Sequence, residues 1–239
     1  MSEYHIAARF RGPVGTGNGG YVAGRAAALL GDGPVEVTLR RPVPLDTRLI
    51  VARNDARVTV VDAEGNLIVE ARPATLELVH PAPPTRQQAE AATRWFLASP
   101  YSHSTGLCFV CGTALVEGFG LRVFSGKVEG RPGISAALWR PDAGFAPGGR
   151  VAPEFLWAAL DCAGAFAFTL GEQPMRTLLG QLTAELHGEV EAGEPCIVFG
   201  WQIAREGGKL HAGTAIFGAD GGLRGLARAL WVIPRPVAS

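Results

Sequence analysis

The chain has 239 residues; 47% are hydrophobic, 18% are charged, and 22 basic side chains balance 22 acidic ones. This composition excludes intrinsic disorder and supplies no basic footprint for nucleic acid or an anionic membrane surface. The length suits one large domain or two small ones.

The first residues, Met1-Ser2-Glu3-Tyr4-His5, have neither a basic start nor an apolar run. No signal peptide is read there, and a cytoplasmic protein with unpaired cysteines is expected. Gly15-Thr16-Gly17-Asn18-Gly19-Gly20 then satisfies G-x-G-x-x-G. A dinucleotide site needs a buried strand just before it and alternating βαβ units after it. Arg9, Arg11, Gly12 and Pro13 precede it and mostly strands follow, so the glycines are read as a turn that opens a helix from Gly19 to about Leu30. Val35-Glu36-Val37-Thr38-Leu39 alternates apolar and polar residues, the pattern of a strand. Asp62-Ala63-Glu64-Gly65-Asn66 is a turn cluster between strands.

His80-Pro81-Ala82-Pro83-Pro84 reads as a connector. Thr85 can cap a short helix after it, and Gln88 three residues on completes a capping box. Trp95, Phe96 and Leu97 are expected to fold that helix back on the body. Cys108-Phe109-Val110-Cys111 has CxxC spacing, but a structural zinc wants two more ligands. His103 is the only nearby candidate and there is no second CxxC, so a packing or turn role is expected and no metal.

Pro153 to Phe168 reads as a helix that is apolar on every side, with Asp161 in its middle. Proline suits the first helical position, and a helix apolar all round is a buried one. Glu154 and Asp161 interrupt the apolar stretch from Val151 to Leu170 and argue against a membrane span. A lone buried carboxylate is costly, so Asp161 must be paired, neutralised or kept for chemistry. Ala158, Cys162, Gly164 and Ala165 around it leave room for something to approach.

The chain repeats itself. Val35 to Val43 resembles Leu182 to Val190 at an offset of 147 residues, which continues through Ile50 with Ile197 and Val51 with Val198. Ala63-Glu64-Gly65-Asn66-Leu67 meets Ala219-Asp220-Gly221-Gly222-Leu223 at an offset of 156, as does Ala71-Arg72 with Ala227-Arg228. The nine-residue difference predicts a longer hairpin in the second copy. Each copy is a helix followed by hairpin-linked strands, hence an α+β unit with an antiparallel sheet wrapped round its helix. We read residues 1–79 as the first repeat, 80–105 as a linker with a short helix, and 106–239 as the second. The repeats would fuse what is elsewhere a symmetric homodimer, and a homodimer of the whole chain is compatible with the pattern.

Asn18-Gly19-Gly20-Tyr21-Val22-Ala23-Gly24 resembles the His-Gly-Gly start of the central helix in hotdog-fold acyl-CoA thioesterases, with Asn18 where His is usual. Val151-Ala152-Pro153-Glu154, with Asp161 further along, resembles the same region in the phenylacetate-pathway type. There, an acid eight residues after the first Gly is catalytic. Cys108-Phe109-Val110-Cys111-Gly112 and Gly120-Leu121-Arg122-Val123-Phe124 resemble a segment that often precedes the first strand of such domains. The resemblance implies a double hotdog over nearly the whole chain. Its departures are informative. Eight residues after Gly19 stands Ala27, and eight before Asp161 stands Pro153. One copy thus keeps the Gly-Gly and the other keeps the acid, which implies one composite site and one lost. Hotdog hydratases pair the helix Asp with a His five residues on, but Phe166 stands there, and the dehydratase His-Phe-Pro signature is absent. Another double-hotdog thioesterase group uses Asp, Thr and Gln on strands; Gln181 and Ala229 fall at such positions, so that set is not intact.

The resemblance implies acyl-CoA thioester hydrolysis, with coenzyme A as part of the substrate and neither a separate cofactor nor a metal. Gly19 and Gly20 would supply amides for the oxyanion at a helix N-terminus, and Asp161 would act as base or nucleophile. Asn18, Tyr21 and Trp157 are assigned beside them to the substrate. Arg40, Arg41, Arg48, Arg53 and Arg57 concentrate positive charge in the first copy; Arg41 and Arg48 are the candidates for coenzyme A phosphates, against a solvated strand face for most of the set. His187 is read as a satisfied strand histidine that could line a pocket. The alternative function is a non-catalytic acyl or acyl-CoA binding protein that kept the cleft and lost the chemistry.

Overall fold

The computed structural model describes residues 3–12, 15–54, 56–101, 106–170 and 175–234. Three helices stand out: α1 (Gly19–Ala27), α2 (Arg86–Ala98) and α3 (Pro153–Thr169). The first half contributes strands β1 (Glu3–Tyr4), β2 (Val35–Leu39), β3 (Leu49–Asn54), β4 (Arg57–Val61) and β5 (Leu67–Pro73). The second contributes β6 (Gly126–Lys127), β7 (Ile134–Trp139), β8 (Leu178–Leu186), β9 (Cys196–Glu206), β10 (Lys209–Phe217) and β11 (Leu223–Val232). They form one sheet in the order β1-β3-β4-β5-β2-β8-β11-β10-β9-β7-β6. Its pairings are antiparallel, so the G-x-G-x-x-G glycines do not open a βαβ unit. The halves meet edge to edge where β2 pairs with β8, Val35 opposite Ala184 and Val37 opposite Leu182.

The strand registers fall at the offsets seen in the sequence. Val37 faces Ala71, and 147 and 156 residues on, Ala184 faces Ala227. Val51 faces Val60, and Val198 faces Ile216. The extra nine residues lie in hairpin arms: β9 and β10 have 11 and 9 residues where β3 and β4 have 6 and 5.

Each curved half-sheet encloses a helix. The α3 helix is buried along almost its whole length, as its all-round apolar sequence requires. Its backbone lies against β9 at Gly200, where a Cβ would come within 2.3 Å of the Ala163 carbonyl oxygen. Hydroxyls from the sheet satisfy helix carbonyls there: Ser135 donates to Ala163 at 2.7 Å and Thr214 to Leu160 at 2.8 Å. The α1 helix stops at Ala27, three residues short of the expected end. Leu29 and Leu30 make tighter bonds to the carbonyls of Ala26 and Ala27, and Gly31 follows with φ +97°. Among the described residues no helix is long and apolar enough to cross a membrane.

The connector helix has the capping box read from sequence. Gln88 N–H donates to Thr85 Oγ1 at 3.2 Å, and Thr85 N–H donates to Gln88 Oε1 at 2.9 Å. Of its C-terminal aromatic and aliphatic residues, Phe96 is buried, Trp95 is half-buried and Leu97 points outward. Thr85→Ala should cost about 1 kcal/mol, the usual value of an N-cap. A thermal melt should show Tm lower by about 2–4 °C for a chain of this size.

Candidate functional site

The site forms where α1 of the first half crosses α3 of the second. Asn18 precedes α1 in an extended conformation, and its Oδ1 accepts the Tyr21 N–H at 2.9 Å, capping the helix. Its Nδ2 reaches the other way and donates to Asp161 Oδ2 at 2.9 Å. An amide side chain can do both at once, having an acceptor and a donor. The Gly20 N–H donates to the same Asp161 Oδ2, also at 2.9 Å. Glycine is required for this approach: a Cβ on Gly20 would lie 2.6 Å from Asp161 Cβ and 2.8 Å from the Trp157 carbonyl oxygen. One turn on, a Cβ on Gly24 would lie 2.7 Å from both Glu154 Cα and Trp157 Cβ. The two glycines, on one face of α1, make the flat strip on which α3 lies.

Asp161 is 2% exposed. Burial pushes its carboxyl up to about 7; the Gly20 N–H pulls it down, Cys108 raises it further, and the Asn18 amide lowers it. The other oxygen, Oδ1, is buried and has no hydrogen-bond partner among the described residues. The Gly19 N–H, the first of α1, likewise has no acceptor among them. Among the described residues, the Gly19 N–H and Asp161 Oδ1 are thus left without hydrogen-bond partners, next to the groups that make the Gly20–Asp161 bond. That pair of groups is what attack on a carbonyl needs.

The remaining candidates are spread more widely. Tyr21 is buried in an aromatic cluster, stacked on Phe10 at a 4.0 Å ring separation and on Phe155 at 5.8 Å. Trp157 is buried against Gly24. Both are core residues of the helix crossing. Arg41 and Arg48 are exposed on the first half. Arg40 and Arg57 clamp Glu70 at 3.0 and 2.8 Å, which commits them to the sheet face. His187 lies just beyond β8, 3.7 Å from Glu185 and partly exposed. Gln181 donates to Thr38 across the joint between the halves at 3.1 Å. His103 lies outside the described residues. One grouping had no counterpart in the sequence reading. Cys162 on α3 meets Cys108 and Cys111, and the three sulfurs lie within 4.8 Å of one another. No local spacing signals this, because Cys162 comes from a separate element.

No protein-family model matches the sequence, and no curated protein matches it. Solved structures do match. A protein of unknown function with a hot dog fold from Alicyclobacillus acidocaldarius aligns over 98% of this chain and 93% of its own, with a TM-score of 0.66 at 14% identity. The fold is the double hotdog. The tesB protein of Mycobacterium avium subsp. paratuberculosis aligns over 97% and 91%, with a TM-score of 0.57 at 16% identity. An acyl-CoA thioesterase II of Mycobacterium marinum aligns over 98% and 93%, with a TM-score of 0.58 at 13% identity. At these identities the likeness establishes the fold, and the activities named are those of the neighbours. Within this double hotdog, the Asn-Gly-Gly belongs to the first hotdog and Asp161 to the second.

Proposed function

We propose that the chain is an acyl-CoA thioesterase with a single composite site, to which one hotdog contributes Asn18-Gly19-Gly20 and the other Asp161. The reading rests on one observation: a buried carboxylate held on one oxygen by Gly20 and Asn18, while its Oδ1 and the Gly19 N–H have no partner among the described residues. Gly20 and Asn18 orient the acid. Asp161 Oδ1 takes a proton from water as the water oxygen attacks the thioester carbonyl carbon. The Gly19 N–H, at the positive end of α1, receives the oxyanion. Collapse breaks the carbon–sulfur bond; the thiolate of coenzyme A leaves with the proton held by Asp161, and a carboxylic acid is released. Direct attack by Asp161 would instead give a mixed anhydride that water opens. The name of the Mycobacterium marinum neighbour, an acyl-CoA thioesterase II, agrees with this chemistry. An acyl-CoA substrate and unpaired cysteines suit a reducing, cytoplasmic compartment.

The burial of Asp161 favours a second reading, an acyl-CoA binding protein in which the acid only fastens the two helices together. An acyl-CoA panel separates them when free thiol release and binding are followed together. Turnover above the uncatalysed rate supports the enzyme. Saturable binding with no thiol release from any member selects the binding protein.

Arg41 and Arg48 remain the candidates for coenzyme A phosphates. Neutralising both should weaken acyl-CoA binding and flatten its dependence on ionic strength, because exposed charge pairs are screened by salt. Titrations at low and high salt check this; unchanged affinity in both would assign the two arginines to a solvated face.

A further inference from the structure

We propose that Cys108, Cys111 and Cys162 form a three-thiolate site for a thiophilic closed-shell cation, zinc or cuprous copper, which ties the irregular segment 106–125 to α3. The three sulfurs come from two distant parts of the chain and lie within 4.8 Å of one another, all buried and none in a disulfide. Zinc–sulfur bonds of about 2.3 Å in a tetrahedral site put sulfurs roughly 3.8 Å apart, so small adjustments would close the set round an ion. Soft thiolates select such metals.

The loop is built to present the first two sulfurs. Gly112 N–H bonds back to the Cys108 carbonyl at 2.7 Å. A Cβ on Gly112 would lie 2.4 Å from that carbonyl oxygen, so the turn closing Cys-x-x-Cys-Gly requires glycine. Cys196 provides the contrast. It is also buried but stands outside this cluster of sulfurs.

The surroundings agree. Segment 106–125 has neither helix nor strand, yet Phe109, Val110 and Val123 are fully buried. A few backbone bonds hold it, such as Phe109 N–H to Arg11 and Val123 N–H to Val110. A metal clip supplies what regular structure does not. Three sulfurs complete a trigonal site for cuprous copper and leave the fourth position of a zinc ion open, and the site does not depend on the thioesterase reading.

The test is metal analysis of the full chain as purified, followed by titration of the metal-free chain with zinc, cobalt(II) and copper(I) without oxygen. One zinc or copper per chain is expected, and cobalt(II) should give a thiolate-to-metal charge-transfer band. Cys108→Ser and Cys162→Ser should each weaken binding by about tenfold or more, since even changes to groups that merely orient a ligand cost that much. Cys196→Ser should bind as the wild type does. If either serine variant fails to fold, the cobalt spectrum of the wild type decides. A chain that takes up none of the three ions, carries a Cys108–Cys111 disulfide by mass, or keeps full affinity in folded Cys108→Ser and Cys162→Ser overturns the proposal.

Discussion

Asp161→Asn is expected to lower acyl-CoA hydrolysis by about 100-fold or more, the usual scale for removing a general base, while acyl-CoA binding survives. The substitution keeps the shape of the side chain. Its remaining carbonyl oxygen can still accept from Gly20 N–H and Asn18 Nδ2, the two bonds that fix Asp161 at 2.9 Å each. What is lost is the basic oxygen at Oδ1, to which no described residue donates a hydrogen bond. The neutral amide is also easier to bury than a carboxylate, so the fold should tolerate it. Free thiol release in steady state, beside a binding titration, checks both halves of the expectation. Hydrolysis that persists in the folded variant would reduce Asp161 to a fastener between helices.

Gly20→Ala should act through the backbone. Its new methyl would press on Asp161 Cβ at 2.6 Å and on the Trp157 carbonyl at 2.8 Å, and neither belongs to a flexible chain end. The α1 and α3 helices must separate or shift. Overpacking of this kind costs about 3 kcal/mol at the upper end of its usual range, or roughly 6–12 °C in Tm for a chain of this length. The shift also pulls Gly20 N–H off Asp161, so hydrolysis should fall even in the folded fraction. A thermal melt and an assay at a temperature where the variant is folded separate the two losses. A variant with wild-type Tm and rate would mean that the helix crossing is looser than the geometry implies.

Much of the architecture was legible because it follows local rules. Pro153 opens α3, and the all-round apolar sequence buries it. Thr85 and Gln88 cap α2 reciprocally. The offsets of 147 and 156 residues recur in the ladder registers, since a sheet position demands the same alternation in both halves. What stayed hidden depends on contacts between elements far apart in the chain. Asn18 looked like a substitute for His, whereas its amide caps α1 and grips Asp161 at once. Gly19 and Gly20 looked equivalent, yet only Gly20 N–H is spent on the acid. Tyr21 and Trp157 looked like substrate contacts and lie in the packed crossing of the helices. Cys162 gave no sign of meeting Cys108 and Cys111, because the helix that carries it is remote from their loop.

The proposed function stands or falls with one composite site, drawn from both hotdogs, that does the chemistry. A crystal structure with an acyl-CoA ketone analogue, in which a methylene replaces the thioester sulfur, tests it most directly. The analogue's carbonyl oxygen is expected on the Gly19 N–H, with Asp161 Oδ1 facing the carbonyl carbon and Gly20 and Asn18 still holding Oδ2. An analogue bound with its carbonyl away from α1, and Asp161 sealed between the helices with no ligand atom near it, would rule out the composite site.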